Sequence, residues 1–228
     1  MSGDLSMALS RKQMAWRAAQ DISDGAYVNL GIGLPTLCSG YLPKGRLVTF
    51  QSENGILGFG GPPPKGEEDY DLINASKGAI TILPGASIVH HGDSFAMIRG
   101  GHIDIAVLGA FEVANNGDLA NWSPGPGGVP GVGGAMDLAS GARAVWVVTT
   151  HVTKSGAPKL VERCALPLTG AKVVKRVYTD LAVIDVTEAG FVLRELSPEV
   201  SVDRIREMTG APLLLEGEPA PLKAPAGL

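Results

Sequence analysis

Apolar positions along the chain follow two periods. Behind Ser10, a side chain suited to a helix start, Met14, Ala18 and Ile22 recur every four residues, and Gly25 follows as a stop. Residues 10–24 therefore predict an amphipathic helix. Elsewhere the apolar positions form short, nearly unbroken runs: YVNLGIG (27–33), RLVTFQSE (46–53), AITIL and ASIV (79–89), HIDIAVLGAFEV (102–113), RAVWVVTT (143–150) and LAVIDVT (181–187). Runs that are apolar on both faces predict strands buried on both faces. FVLRELS (191–197) reads as the hairpin partner of the last run, Asn116-Gly117 as a hairpin turn, and PLLLE (212–216) as a further strand. Two short helices fit between the strands: DSFAMIRGG (93–101), with Asp93 as cap and Gly100 as stop, and residues 202–208. Strands interrupted by helices predict the α/β class, with an open, mixed, mostly parallel sheet covered by helices. No internal repeat is visible. GFGGPPPKGEEDY (58–70) and SPGPGGVPGVGG (123–134) read as long loops, where function tends to sit. Residues 1–215 read as one domain and 216–228 (EGEPAPLKAPAGL) as a flexible tail.

Composition narrows this picture. A chain of 228 residues, 45% of them hydrophobic, can bury a core without disulfides or metals. Cys38 and Cys164 stand far apart and form no metal-binding pair. A net charge of −4 argues against nucleic-acid binding and against anionic membranes. Residues 1–10 lack the apolar stretch of a secretory leader. The apolar runs fall well short of the ~20 residues that cross a bilayer. The expected compartment is the cytoplasm.

Four segments are candidates for chemistry. GIGLPT (31–36) follows a strand. It reads as a weak dinucleotide fingerprint, as a tight turn with Pro35 opening a helix, or as glycines that let a thioester chain approach the backbone. In SENGILGFG (52–60), Glu53 is a lone carboxylate at a strand end, where ligands of open α/β sheets bind; an exposed turn glutamate is the plain alternative. In GVGGAMDL (131–138), consecutive glycines before a helix can aim N–H groups at a developing oxyanion, or serve only as a hinge. HHGDSFAMIRGGH (90–102) holds three histidines. Neighbours on a strand point to opposite faces, so His90 and His91 make a poor chelating pair, and Arg99 reads as a structural partner of an acid. No Ser-His-acid set, GxSxG or phosphate-loop pattern is present.

Taken in order, NLGIGLPT, QSENGILGFG, DLINASKG, SFAMIRGGHIDIAVLGAFEV, GDLANW, GGAMDL and PLTG span residues 10 to 215. They resemble the B (β) subunit of class I, 3-oxoacid coenzyme A transferases. GAYVNLGIG, GEEDYDLINA, HHGDSF and TKSGAPKLVERC look most similar to the 3-oxoadipate members. The resemblance implies the CoA-transferase type of open sheet, shared with NagB and RpiA. It implies transfer of CoA from succinyl-CoA to a 3-oxoacid, with 3-oxoadipate of aromatic catabolism expected and acetoacetate the alternative. A sugar-phosphate isomerase or ligand sensor on a similar scaffold is the more distant alternative.

The resemblance also implies roles. Glu53 is the nucleophile that carries CoA as a glutamyl thioester, and Gly134 is a backbone oxyanion donor. Gly31, Gly33, Asn54, Lys77 and Gly133 are expected around the substrate or CoA. Ser76 replaces the family's commoner glycine before Lys77. His90 or His91 is expected to meet the second carboxylate of 3-oxoadipate. No metal or cofactor is implied. A partner A subunit is, in an A2B2 heterotetramer, supplying the second oxyanion donor and leaving this chain inactive alone. A glutamate at its unperturbed pKa of ~4.3 is ionised at neutral pH and needs no general base, which agrees with the missing triad.

Overall fold

The computed structural model describes residues 8–128 and 131–228. Most of the segment 1–10 lies outside them, as do two residues of the 123–134 loop.

The chain opens on helix α1 (Arg11–Asp21). Ser10 caps it: its hydroxyl accepts from the Gln13 N–H, and the Gln13 side chain accepts in return from the Ser10 N–H. Met14, Ala15, Ala18 and Ala19 form its buried stripe. Strand β1 (Tyr27–Leu30) follows, then a 3-10 helix (Leu34–Tyr41) opened by Pro35. Next come β2 (Thr49–Ser52), β3 (Ile56–Phe59), β4 (Ile82–Ile88), α2 (His91–Arg99), β5 (Ile105–Leu108), β6 (Glu112–Ala114), β7 (Leu119–Ala120) and α3 (Ala135–Gly141). The rest is β8 (Ala144–Val148), β9 (Leu160–Val161), β10 (Val174–Tyr178), β11 (Ala182–Thr187), β12 (Gly190–Leu196), α4 (Val202–Glu207) and β13 (Leu213–Pro221).

Ten strands make the main sheet, in the order β13-β12-β11-β10-β8-β5-β1-β2-β3-β4. The block β10-β8-β5-β1-β2 is parallel throughout, and only β3 and β11 run against the rest. The expected open, mostly parallel α/β sheet is what forms. A small sheet, β7-β6-β9, sits beside it, its hairpin turning at Asn116-Gly117.

Burial on both faces is visible residue by residue. Along β5, Ala106 and Leu108 enter the core shared with Phe95 and Ile98 of α2 and Leu138 of α3. Ile105 and Val107 enter the core under α1, with Met14, Ala18 and Cys38. Alternate side chains of one apolar run thus serve opposite layers.

Four expectations change. The run 102–113 breaks at Gly109 into β5 and β6, which belong to different sheets. The two runs within 79–89 make one strand, β4. Helix α2 starts at His91, not after Asp93, because His90 is its cap: His90 Nδ1 accepts from the Gly92 N–H at 3.0 Å. Residues 216–228 are not a loose extension. β13 runs to Pro221 and pairs in parallel with β12 as far as Leu196↔Pro221. Leu222 is buried, and Gln13 and Ser10 donate to the carbonyls of Pro225 and Leu228. The prolines of this segment are tolerated because β13 is an edge strand, where a missing N–H costs no ladder bond.

Candidate active site

Chain order fixes where a cleft opens. From β1 the chain goes to β2 on one side, while the next parallel strand, β5, lies on the other side of β1. Loops leaving the C-terminal ends of β1 and β5 therefore diverge, and a crevice is left between them. A cleft of about 680 Å³ lies there. Its lining comes from the segments after β1 (Gly31, Gly33), β2 (Glu53), β5 (Gly109) and β8 (Thr149), and from the start of α3 (Gly134).

Glu53 sits in the tight turn joining β2 to β3, which pair through Ser52↔Ile56. Gly55 makes that turn possible. Its φ is +114°, and a Cβ there would collide with the Val89 carbonyl oxygen. No larger residue fits, so the turn is pinned against the end of β4. A buried polar chain braces it from below. Asn29 Nδ2 donates to Gln51 Oε1 (2.5 Å) and the Gln51 carbonyl (3.1 Å). Gln51 Nε2 donates to Ser94 Oγ (2.6 Å), and Ser94 Oγ to the Ser52 carbonyl (3.3 Å). Ser52 Oγ in turn accepts from the Ala75 N–H (2.9 Å). The strand that carries Glu53 is thereby tied to β1, α2 and the following loop. Buried polar groups so fully paired hold one arrangement.

The Glu53 carboxylate itself is half-buried and accepts no hydrogen bond from the described residues. Burial pushes its pKa above the ordinary carboxylate value; His91 opposes that shift and Asp137 adds to it. The expectation of an ordinary glutamate is corrected accordingly: removing water from the charged form makes the carboxyl more basic. Asp137 is paired with Arg99 at 2.7 Å, so Arg99 has the structural role expected of it. Its guanidinium also lies 5.6 Å from the Phe95 ring centre.

Gly134 meets Glu53 directly. It is the residue before α3, with φ −84°. A Cβ built on it would overlap Glu53 Oε2 and stand 2.9 Å from the carboxyl carbon. The N–H groups of Gly133 and Gly134 have no acceptor among the described residues, as expected of a helix start. A free donor pair beside an unpaired carboxylate suits a reaction in which an oxyanion forms on a carbonyl attached to that carboxylate.

The other expected residues divide. Gly31 and Gly33 line the cleft, and Gly31 lies against β5, where a Cβ would meet the Leu108 side chain at 3.0 Å. Gly133 lines it too. Asn54, Lys77, His90 and His91 do not. The Asn54 amide donates to the Ile73 carbonyl at 2.8 Å. Lys77 is exposed, at φ +63°. Ser76 beside it has a buried hydroxyl with no partner. His91 stacks on Phe95, ring centres 4.7 Å apart, and so acts on Glu53 from behind rather than from the cleft. Missed in the sequence were Asn29, Gln51 and Ser94, and a polar far wall of Thr149, Thr153, Lys154 and Lys159. The signal was present: polar side chains inside or directly after apolar strands. No group of three His, Cys, Asp or Glu side chains among the described residues stands close enough to hold a metal.

The family model for coenzyme A transferases matches residues 11–208. The chain belongs to the coenzyme A transferase family. It is 56% identical over 207 residues to the B subunit of the 3-oxoadipate CoA-transferase of Acinetobacter baylyi, covering 90% of this chain and 95% of that one. It is 51% identical over 201 residues to the B subunit of the succinyl-CoA:3-ketoacid coenzyme A transferase of Helicobacter pylori, covering 88% and 97%. Among solved structures, the acyl-CoA transferase YdiF of Escherichia coli O157:H7 superposes with a TM-score of 0.74 at 19% identity. That match covers 98% of this chain but 45% of YdiF, so the chain spans less than half of that protein. At such identity it shows the fold alone. No helix among the described residues is long and apolar enough to cross a membrane.

Proposed function

We propose that this chain is the nucleophile-bearing B subunit of a transferase that moves CoA from succinyl-CoA to 3-oxoadipate in the cytoplasm. The single observation that carries the reading is the half-buried, unpaired Glu53 carboxylate in contact with Gly134. In the proposed reaction the Glu53 carboxylate attacks the thioester carbonyl. An acyl-glutamyl anhydride forms and CoA thiolate leaves. The thiolate returns to the glutamyl carbonyl, giving a glutamyl-CoA thioester and free succinate. The 3-oxoacid carboxylate then attacks that thioester, and the same steps in reverse release its CoA ester and restore Glu53.

Each tetrahedral intermediate places an oxyanion near the Gly134 N–H, and one such donor typically contributes ~10²–10³-fold in rate. Desolvation of Glu53 favours attack, since the carboxylate need not shed a full hydration shell. CoA is a substrate, carried covalently for part of the cycle, and no further cofactor takes part. A partner A subunit completes the oxyanion hole, in an A2B2 assembly. The relatives' names support the pairing, since each is named as one of two lettered subunits, the B type. Acetoacetate is the second reading for the acceptor, favoured by the 3-ketoacid relative.

Glu53→Gln tests the proposal. The amide is nearly isosteric, so the fold stays, and turnover by the complex falls to background. A variant that keeps full turnover contradicts it.

A further inference from the structure

The cleft has a second end. β2, β1, β5 and β8 are consecutive in the sheet. The end of β8 therefore stands three strand spacings, about 14 Å, from the end of β2 that bears Glu53. At that far end Lys159 Nζ donates to Thr149 Oγ1 at 2.8 Å. No carboxylate lies within ion-pair distance of Lys159 among the described residues. The nearest acid that acts on it, Asp180, is engaged by the His151 N–H at 2.7 Å. Lys154 and Arg11 line the same end, and neither is paired. Thr149, Thr153 and Asn121 supply polar groups around them.

A half-buried ammonium without a counter-ion is costly, because burial disfavours its charge. Burial does lower the Lys159 pKa. Such a group is relieved by an anion entering the cleft. Glu53 has to react with one end of an acyl group, and the span beyond it suits a short chain.

We propose that Lys159 is the specificity-determining residue that receives the distal carboxylate of a dicarboxylic acyl group whose other end reacts at Glu53. Thr149 holds the ammonium in place, and Lys154 and Arg11 give the mouth a positive field that draws dianions in. This inference rests on the transferase reading of the cleft. It moves the second-carboxylate contact from His90 and His91, which do not line the cleft, to the far wall.

The test uses the assembled complex and two six-carbon probes, adipate and hexanoate, followed by calorimetry. Lys159→Met keeps the stem and removes the charge; Lys159→Arg keeps the charge. Lys159→Met is expected to weaken adipate by ~10- to 100-fold, the scale of one charged hydrogen bond. Hexanoate stays within about twofold, and Lys159→Arg retains most adipate affinity. In turnover the KM for 3-oxoadipate rises in Lys159→Met while that for acetoacetate does not. Equal losses for both probes, no loss for either, or a loss of CoA affinity with acid discrimination intact each overturn the proposal. Labelling of Glu53 by acyl-CoA in the same preparations reports separately on the transferase reading. Its failure sinks that reading, and unchanged probe discrimination sinks this one.

Discussion

Replacing Gly134 with alanine changes one methyl group and tests the contact on which the site is built. At φ −84° and ψ 4° alanine is unstrained, so the backbone does not resist it. The methyl would overlap Glu53 Oε2, stand 2.9 Å from the carboxyl carbon and 3.1 Å from Phe95 Cζ. Phe95 is buried and cannot yield, so the carboxyl must turn away by the order of an ångström. Misplacement on that scale costs about 10²-fold, and loss of alignment with the N–H donor brings the total toward 10³-fold. That is about 3–4 kcal/mol in the activation barrier. Stability falls by less, about 1 kcal/mol, because Glu53 is half-exposed and has room to swing. The assay is turnover of the assembled complex beside thermal unfolding of the chain. Gly61→Ala, where nothing lies within 4 Å of the added methyl, is the control. Full turnover in Gly134→Ala, or a loss matched by an equal loss in stability, would refute the reasoning.

Three further outcomes follow from other parts of the molecule. Glu53 must be ionised to react, so turnover falls as pH drops through its raised pKa; His91→Ala moves that acid limb to higher pH and Asp137→Asn moves it lower, read from pH–rate profiles. His151 is buried between the hydroxyls of Thr179 and Thr209, and burial lowers its pKa to about 4. Against an ordinary ~6.5, the neutral ring contributes about 3 kcal/mol that is fully present above pH ~6.5 and lost as pH falls toward 4. The raised carboxyls of Glu53 and Asp180 act with the opposite sign, so the readout is the flatter urea-stability profile of His151→Gln relative to the parent. Leu222, 4% exposed in the core under α1, is expected to cost about 2–4 kcal/mol on truncation to alanine, measured by urea unfolding, whereas a loose tail would cost nothing.

The layered sheet was legible because its central strands carry apolar residues on both faces, and no other architecture covers both. β11 and β12 were legible as a hairpin for the same reason, and they pair from Ala182↔Leu196 to Thr187↔Gly190. β10 was missed because Lys175 and Arg176 interrupt its apolar run. In the fold Arg176 reaches Asp185 and Asp21, a pairing of distant residues that no local window contains. β3 was hidden inside the motif that carries Glu53, and β13 inside Pro- and Gly-rich composition that an edge strand tolerates. Glu53, Gly31, Gly33, Gly133 and Gly134 were legible as the cleft because each follows a strand or precedes a helix. The histidine pair misled: chemistry suggested a substrate contact, but local geometry spends His90 on a helix cap and His91 on the Phe95 ring. Lys159 was silent in sequence because it lies 106 positions from Glu53 and meets the cleft only through the order β2-β1-β5-β8.

Everything chemical here depends on one side chain becoming acylated. The direct measurement is mass spectrometry of the assembled complex after incubation with acyl-CoA and trapping with borohydride or hydroxylamine. The predicted result is a modification confined to the peptide containing Glu53, absent in Glu53→Gln. A complex that goes on exchanging CoA between acids with that peptide unmodified contradicts the account.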